Sequence, residues 1–173
     1  MDLEALVRTI PDFPKPGIRF KDITTLLKNG SGFQSIIDGW KARYADRGVS
    51  AIVGAEARGF IFGAALAYAM GLPFVPVRKP GKLPGETFSE SFELEYGQDS
   101  LEIHVNALGR EDRVVLVDDL LATGGTMAAI CRLVERLGAE IIEIAFVIEL
   151  VPLDGRSRLR PHPVYSLIRT MDA

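Results

Sequence analysis

The stretch Arg113–Thr126, R-V-V-L-V-D-D-L-L-A-T-G-G-T, constrains the fold more than any other part of this 173-residue chain. Val114 to Val117 is a short, continuous apolar run rich in β-branched residues, the pattern of a strand buried on both faces in a parallel sheet. Asp118 and Asp119 follow where that strand is expected to end. Ala122-Thr123-Gly124-Gly125-Thr126 then opens a helix whose apolar residues Ile130, Leu133, Val134 and Leu137 share one face. Gly138 is placed to stop it.

Each part of this strand, acid pair, small-residue loop and helix has a chemical use. Gly124 and Gly125 carry no Cβ, so a ligand can approach the backbone, and several N–H groups can converge on one anion at the positive helix end. Thr123 and Thr126 add hydroxyl donors. The acid pair would repel a phosphate and is suited instead to the hydroxyls of a vicinal diol. A phosphate close to a diol describes a ribose 5-phosphate. Other phosphate motifs are missing: Gly81-Lys82 is followed by Leu83 and preceded at position 76 by proline, and no Gly-x-Gly-x-x-Gly occurs.

Taken in order, Leu3, Leu6, Val7 and Ile10 suggest a short amphipathic helix stopped by Pro11. Three prolines and a glycine forbid a helix through Pro11 to Gly17, and Phe13, Ile18 and Phe20 can make a slot for a planar ring. Ser31 with Gln34 forms a capping box for a helix carrying Phe33, Ile36, Ile37, Trp40 and Tyr44, ended by Gly48. Ala51 to Ala55 is a second buried strand. It leads through Glu56-Ala57-Arg58-Gly59 into an apolar helix, Phe60 to Met70. Phe74 to Val77 is a third strand, followed by a basic, proline- and glycine-rich loop from Arg78. Ser91–Glu95 and Leu101–Val105 suggest an antiparallel hairpin turning at Tyr96–Asp99, with His104 on its wet face. Ile141 to Leu150 is a long strand, and Val164 to Ile168 adds an edge strand.

Strands alternating with helices predict an α/β fold, a doubly wound and mainly parallel sheet flanked by helices. Ligands of such folds bind at the carboxyl ends of the strands. A small N-terminal hood over residues 11–27, a core over 32–173 and a flexible loop over 79–99 are expected within one domain.

The spacing D-D-x-x-A-T-G-G-T after a strand resembles the phosphoribosyl-pyrophosphate signature of the type I phosphoribosyltransferases. The segment Ile10–Ile23, the run G-x-E-A-R-G-F and the run L-E-Y-G resemble the adenine-specific branch of that family, and the likeness runs through nearly the whole chain. Thr25 departs from it, standing where many members carry proline.

The resemblance implies transfer of the 5-phosphoribosyl group from phosphoribosyl pyrophosphate to adenine, giving AMP and pyrophosphate, a step of purine salvage. It implies that Ala122, Thr123, Gly124, Gly125 and Thr126 hold the 5-phosphate and that Asp118 and Asp119 hold the ribose hydroxyls. Arg58, Lys79 and Lys82 address the pyrophosphate, beside a non-proline cis peptide near Glu56–Ala57. Glu95, with Arg58 and Lys82, completes the catalytic set by sharing the base proton. Arg19 and Lys21 backbone groups, with Phe20 and Leu120, frame adenine. Magnesium is expected to ride on the diphosphate and water, with no protein metal cluster. A homodimer is expected on the same ground.

A net charge of −3 argues against nucleic acid or an anionic membrane as partner. The oxopurine-specific relatives and a non-catalytic nucleic-acid-binding sensor are the competing readings. A single cysteine, Cys131, rules out an internal disulfide, and no basic leader or 18-residue apolar span occurs. A cytoplasmic protein is expected.

Overall fold

The computed structural model describes residues 1–93 and 97–172. Its centre is a five-stranded sheet of β3 (Ala51–Ala55), β4 (Phe74–Val77), β7 (Arg113–Leu121), β8 (Glu140–Leu150) and β9 (Val164–Thr170). The order is β4-β3-β7-β8-β9, and every neighbouring pair is parallel. The chain runs outward from β3 to β4 and then returns to the other side of β3 to lay down β7. The strand order therefore reverses between β3 and β7, and a crevice opens beyond their carboxyl ends.

The side chains of β7 show why the sheet must be covered twice. Val114 and Leu116 enter one apolar cluster with Ile130, Leu133 and Val134 of helix α4 (Gly125–Leu137). Val115 and Val117 enter another with Trp40 and Tyr44 of α2 (Gly30–Tyr44) and Phe62 and Leu66 of α3 (Arg58–Met70). All four valine and leucine side chains of that run are buried, so successive residues pack on opposite faces. The stripe Ile36, Ile37, Trp40 and Tyr44 is core, as its spacing predicts, and Cys131 is a buried thiol on α4.

Several local expectations are corrected. The first ten residues form only a 3-10 turn at Glu4–Leu6, followed by strand β1 (Arg8–Pro11), which pairs antiparallel with β2 (Arg19–Asp22). Four apolar residues over two turns make a marginal helix, whereas pairing with β2 satisfies the backbone and lets Arg8 reach Asp22. The hood hairpin thus begins at Arg8, ahead of the expected edge at residue 11. Thr25, the departure from the family pattern, fastens this segment: its hydroxyl donates to the Leu6 carbonyl at 2.7 Å and accepts the Arg8 N–H at 3.2 Å.

Helix α2 is capped by Asn29, whose side chain accepts the Gly32 N–H at 2.8 Å, and not by Ser31 with Gln34. The helix stops at Tyr44, before Gly48. Strand β7 does not end at Val117; it runs through the acid pair to Leu121, because β8 continues beside it and pairs with Asp118, Leu120 and Leu121. The hairpin strands are β5 (Thr87–Glu93) and β6 (Gln98–His104). Much of the segment expected as flexible loop is therefore strand, held by Phe88 and Phe92 against the α4 cluster. Of the expected turn, Gln98 and Asp99 lie within β6, and Tyr96 lies outside the described residues.

Candidate active site

The carboxyl ends of β3 and β7 meet around a cavity of about 380 Å³. One wall is Glu56, Ala57 and Arg58, and the other runs from Asp118 through Thr126 to Met127, with Phe146 from β8. The crevice predicted from strand order and the loops predicted from motif spacing are thus one place.

The anion loop is shaped by its glycines. Gly124 has φ +81 and stands at the start of α4, a conformation open to glycine and strained for other residues. The first amides of α4 have no carbonyl one turn back and turn towards this end of the helix. Gly59, at the start of α3, lies so close to β7 that a Cβ there would stand 2.9 Å from the Val117 carbonyl and 3.0 Å from Asp118 Oδ1. The two helix starts and the acid pair are therefore packed against one another.

The acid pair is not a solvated pair of charges. Asp119 is buried, and Arg58 Nε forms an ion pair with its Oδ2 at 2.6 Å. Asp118 accepts the Asp119 N–H at 2.9 Å. Burial first, then the neighbouring Asp119 carboxylate, pushes the Asp118 carboxyl well above the usual carboxylate range. A carboxyl pushed in that direction holds its proton more tightly than a free one, and a protonated carboxyl can donate as well as accept.

The Glu56–Ala57 peptide is cis. Glu56 is a site residue whose partner the motif does not reveal. Its carboxylate accepts from Arg78 Nε at 3.2 Å, from Arg78 Nη2 at 3.1 Å and from the Lys79 N–H at 3.0 Å. The Arg78 hydrogen bonds hold its carboxyl below the usual range. Arg78 also donates from Nη1 to the Lys82 carbonyl at 3.2 Å. The β3–α3 turn is therefore tied to the root of the basic loop. A charge pairing 22 residues apart in sequence carries no local signal, so only the folded chain reveals it.

The remaining expected residues are spread around the rim. Leu120 lines the cavity; Lys79, Lys82, Arg19, Phe20 and Lys21 do not. Lys79 Nζ pairs with Asp99 on β6 at 3.2 Å. His104 is half-buried, against the expectation of an exposed ring, with its Nε2 2.7 Å from the Pro84 carbonyl. In the hood, Arg19 Nη2 and Lys21 Nζ both reach Asp172 Oδ2, at 2.9 and 3.0 Å. Phe20 lies edge-on to Phe13 with 5.1 Å between ring centres, and the Arg58 guanidinium stands 5.9 Å from the Phe20 ring. Arg58 thus bridges the acid pair and the hood. Glu95 lies outside the described residues. Among the described residues no group of three or more His, Cys, Asp or Glu side chains converges on one point.

Residues 23–170 match the phosphoribosyl transferase domain family. The adenine phosphoribosyltransferase of Chloroflexus aurantiacus is 56% identical over 168 residues, covering 97% of each chain. The crystal structure of adenine phosphoribosyltransferase from Thermoanaerobacter pseudethanolicus superposes with a TM-score of 0.93 at 53% identity, covering 98% of each chain. That of the Saccharomyces cerevisiae enzyme, complexed with an imino-altritol bisphosphate and adenine, gives 0.91 at 45% identity and 96% coverage of each chain. With the parallel sheet, the crevice at its reversal point and these likenesses over nearly the full length, the chain belongs to the phosphoribosyltransferase family, in its adenine phosphoribosyltransferase branch.

Proposed function

We propose that the chain, working as one domain, transfers the 5-phosphoribosyl group of phosphoribosyl pyrophosphate to adenine, giving AMP and pyrophosphate in purine salvage. The observation that carries the reading is the cavity at the β3–β7 reversal, where the acid pair and the start of α4 share one wall. The backbone of Ala122–Thr126 and the hydroxyls of Thr123 and Thr126 hold the 5-phosphate. Asp118 and Asp119 hold the two ribose hydroxyls. Arg58 leaves or shares its bond with Asp119 to meet the pyrophosphate, and Lys79 and Lys82 swing in from the rim with the loop that Arg78 and Glu56 anchor.

In the reaction the bond from the ribose C1 to pyrophosphate oxygen breaks, the bond from C1 to adenine N9 forms, and the N9 proton departs. Positive charge grows on C1 and its ring oxygen as pyrophosphate leaves. Arg58 and the lysines offset the charge developing on the leaving group. Glu95, assigned from the L-E-Y-G motif, takes or shares the base proton and sits on the side where positive charge develops. Leu120 and Phe20 flank the purine plane, while the backbone of Arg19 and Lys21 reads its amino-bearing edge. Their side chains, held by Asp172, leave the backbone for that task.

Magnesium, held by diphosphate oxygens and water with few protein ligands, would further neutralise the leaving group. A second copy of the chain is the proposed partner. Ile61 and Tyr68, seven residues apart on α3, are exposed, Tyr68 at 90%, and stand on one side of that helix. Sedimentation of Tyr68→Glu as a monomer and of the unaltered chain as a dimer would support this; two monomers would refute it. A cytoplasmic setting suits a chain whose one cysteine is a buried, unpaired thiol.

The test is a chromatographic product assay with magnesium and phosphoribosyl pyrophosphate, offered adenine, hypoxanthine, guanine and xanthine in turn. AMP from adenine alone is the expected result. An oxopurine nucleotide would move the base assignment to the sister enzymes, and binding without product would favour a sensor.

A further inference from the structure

The back of the anion loop is as closely built as its front. Gly155 is buried and opens a 3-10 turn, Gly155–Leu159, that lies against the loop on the side away from the cavity. A Cβ on Gly124 would stand 2.5 Å from the Gly155 carbonyl oxygen. A Cβ on Gly155 would overlap the Ala122 carbonyl oxygen and come within 3.0 Å of the Gly124 nitrogen and 2.9 Å of a Leu121 methyl. The two backbones touch with no side chain between them, and neither glycine can be enlarged without moving the loop.

The turn that carries Gly155 is held at three points. Glu149, only 4% exposed, accepts from Arg156 Nε at 2.9 Å and also from its Nη2. Arg156 Nη1 donates to the Val164 carbonyl at 2.6 Å. Leu159 is buried in the cluster beneath α4. Glu149 is also the β8 partner of Leu121, the last residue of β7 before the loop. The anchor of the turn and the root of the loop are therefore one rung of the sheet. A bidentate arginine–carboxylate pair at that depth is a rigid joint.

We infer that the Asp154–Leu159 turn is a backing plate for the anion loop, and that Gly155 and the Glu149–Arg156 pair are positioning residues for phosphoribosyl pyrophosphate. This rests on the reading of Ala122–Thr126 as the 5-phosphate cradle. Gly155 touches no substrate; it sets where the loop amides stand. Its loss acts on the phosphoribosyl half of the reaction and spares the base half.

The test compares Gly155→Ala, Arg156→Lys and Thr123→Ala with the unaltered chain. Affinity for phosphoribosyl pyrophosphate is measured by calorimetry, and KM for adenine and kcat at saturating phosphoribosyl pyrophosphate. Gly155→Ala is expected to weaken phosphoribosyl pyrophosphate at least tenfold while KM for adenine stays within twofold. Arg156→Lys keeps the charge but loses the fork, and is expected to weaken it three- to tenfold. If Gly155→Ala does not fold, Arg156→Lys decides. Wild-type affinity in the folded variants, with Thr123→Ala impaired, overturns the backing role alone. Wild-type affinity in all three overturns the cradle reading as well. Equal losses for adenine and phosphoribosyl pyrophosphate would mean a general loosening and would also defeat the inference.

Discussion

Asp118, half-buried beside the anion loop, and Asp22, buried at the end of the hood strand β2, are pushed in opposite directions by their surroundings. Asp22 accepts from Arg8 Nη2 at 2.5 Å and Nε at 3.1 Å and from the Thr24 N–H at 2.9 Å, and its carboxyl is pulled down to about 2. Asp118 is pushed up by burial and by the carboxylate of its own neighbour. A carboxyl held low in the fold stabilises it above the ordinary value and loses that contribution as pH falls. A carboxyl held high keeps its proton where the unfolded chain has lost one, so stability falls as pH rises through that window. The hood acid therefore adds modestly to stability. The cavity acid costs stability, which is the mark of a group kept for a ligand.

The comparison extends to the two ends of the site. The proposed phosphoribosyl end is made of core strands, helix starts and backbone contacts too tight for a Cβ. The proposed base end is the peripheral β1–β2 hairpin, tied through ion pairs to Asp172, two residues beyond the last strand. The first should govern cosubstrate affinity and the second base affinity.

The largest expected effect tests that division at its centre. Glu95→Gln should lower kcat about a hundred- to a thousandfold, about 3–4 kcal/mol of transition-state stabilisation, with affinity for phosphoribosyl pyrophosphate and thermal stability unaltered. A kcat equal to that of the unaltered chain would remove Glu95 from the mechanism.

The next effect separates binding from stability in one residue. Asp118→Asn removes the carboxyl that is held high. It should weaken phosphoribosyl pyrophosphate about tenfold, about 1.4 kcal/mol, and raise the melting temperature of the ligand-free protein at pH 7 by about 2–4 °C. Calorimetry and a thermal melt read the two signs. A variant that melts lower, or binds as before, contradicts the assignment.

How much of this was legible in the sequence follows the range of the interactions. The alternating burial of Val114–Val117, the anion loop and the Ala51–Ala55 strand are local patterns, and they stand in the structure where periodicity and spacing place them. Leu3, Leu6, Val7 and Ile10 fit a helical spacing, while the pairing of β1 with Arg19–Asp22 that overrides it lies beyond the proline-rich loop. The acid pair falls inside β7, not after it, because β8 extends alongside, and nothing within Arg113–Thr126 announces its partner's length. The Glu56–Arg78 tie and the Gly124–Gly155 contact join residues 22 and 31 apart, and each glycine alone looks like any turn glycine. Spacing thus points to the groups proposed to bind, but not to what supports them.

The base end yields a smaller effect. Asp172→Asn would release Arg19 and Lys21 and let β2 shift, raising KM for adenine about three- to fivefold, under about 1 kcal/mol, as for a partly exposed ion pair. KM for phosphoribosyl pyrophosphate should not move. Equal changes in both constants would break the proposed division between the two ends.

The smallest effect concerns the acid limb of stability. The Asp22 contribution is fully present above the unfolded carboxyl value near 4 and is lost as pH falls towards about 2. Arg8 is the first cause of that depression, and its side chain is 58% exposed, so solvent screening keeps the pair's worth under about 1 kcal/mol. Arg8→Ala should flatten the fall of melting temperature between pH 5 and pH 2 while changing little at pH 7 beyond that small loss. The Thr24 N–H still bonds Asp22, so a residual slope should survive. Raising the salt to about 1 M, where screening acts within about 3 Å, should bring the unaltered chain towards the Arg8→Ala curve. If instead the two acid limbs coincide at low salt, Arg8 does not hold Asp22 down, and the contrast between hood and cavity acids loses its first member.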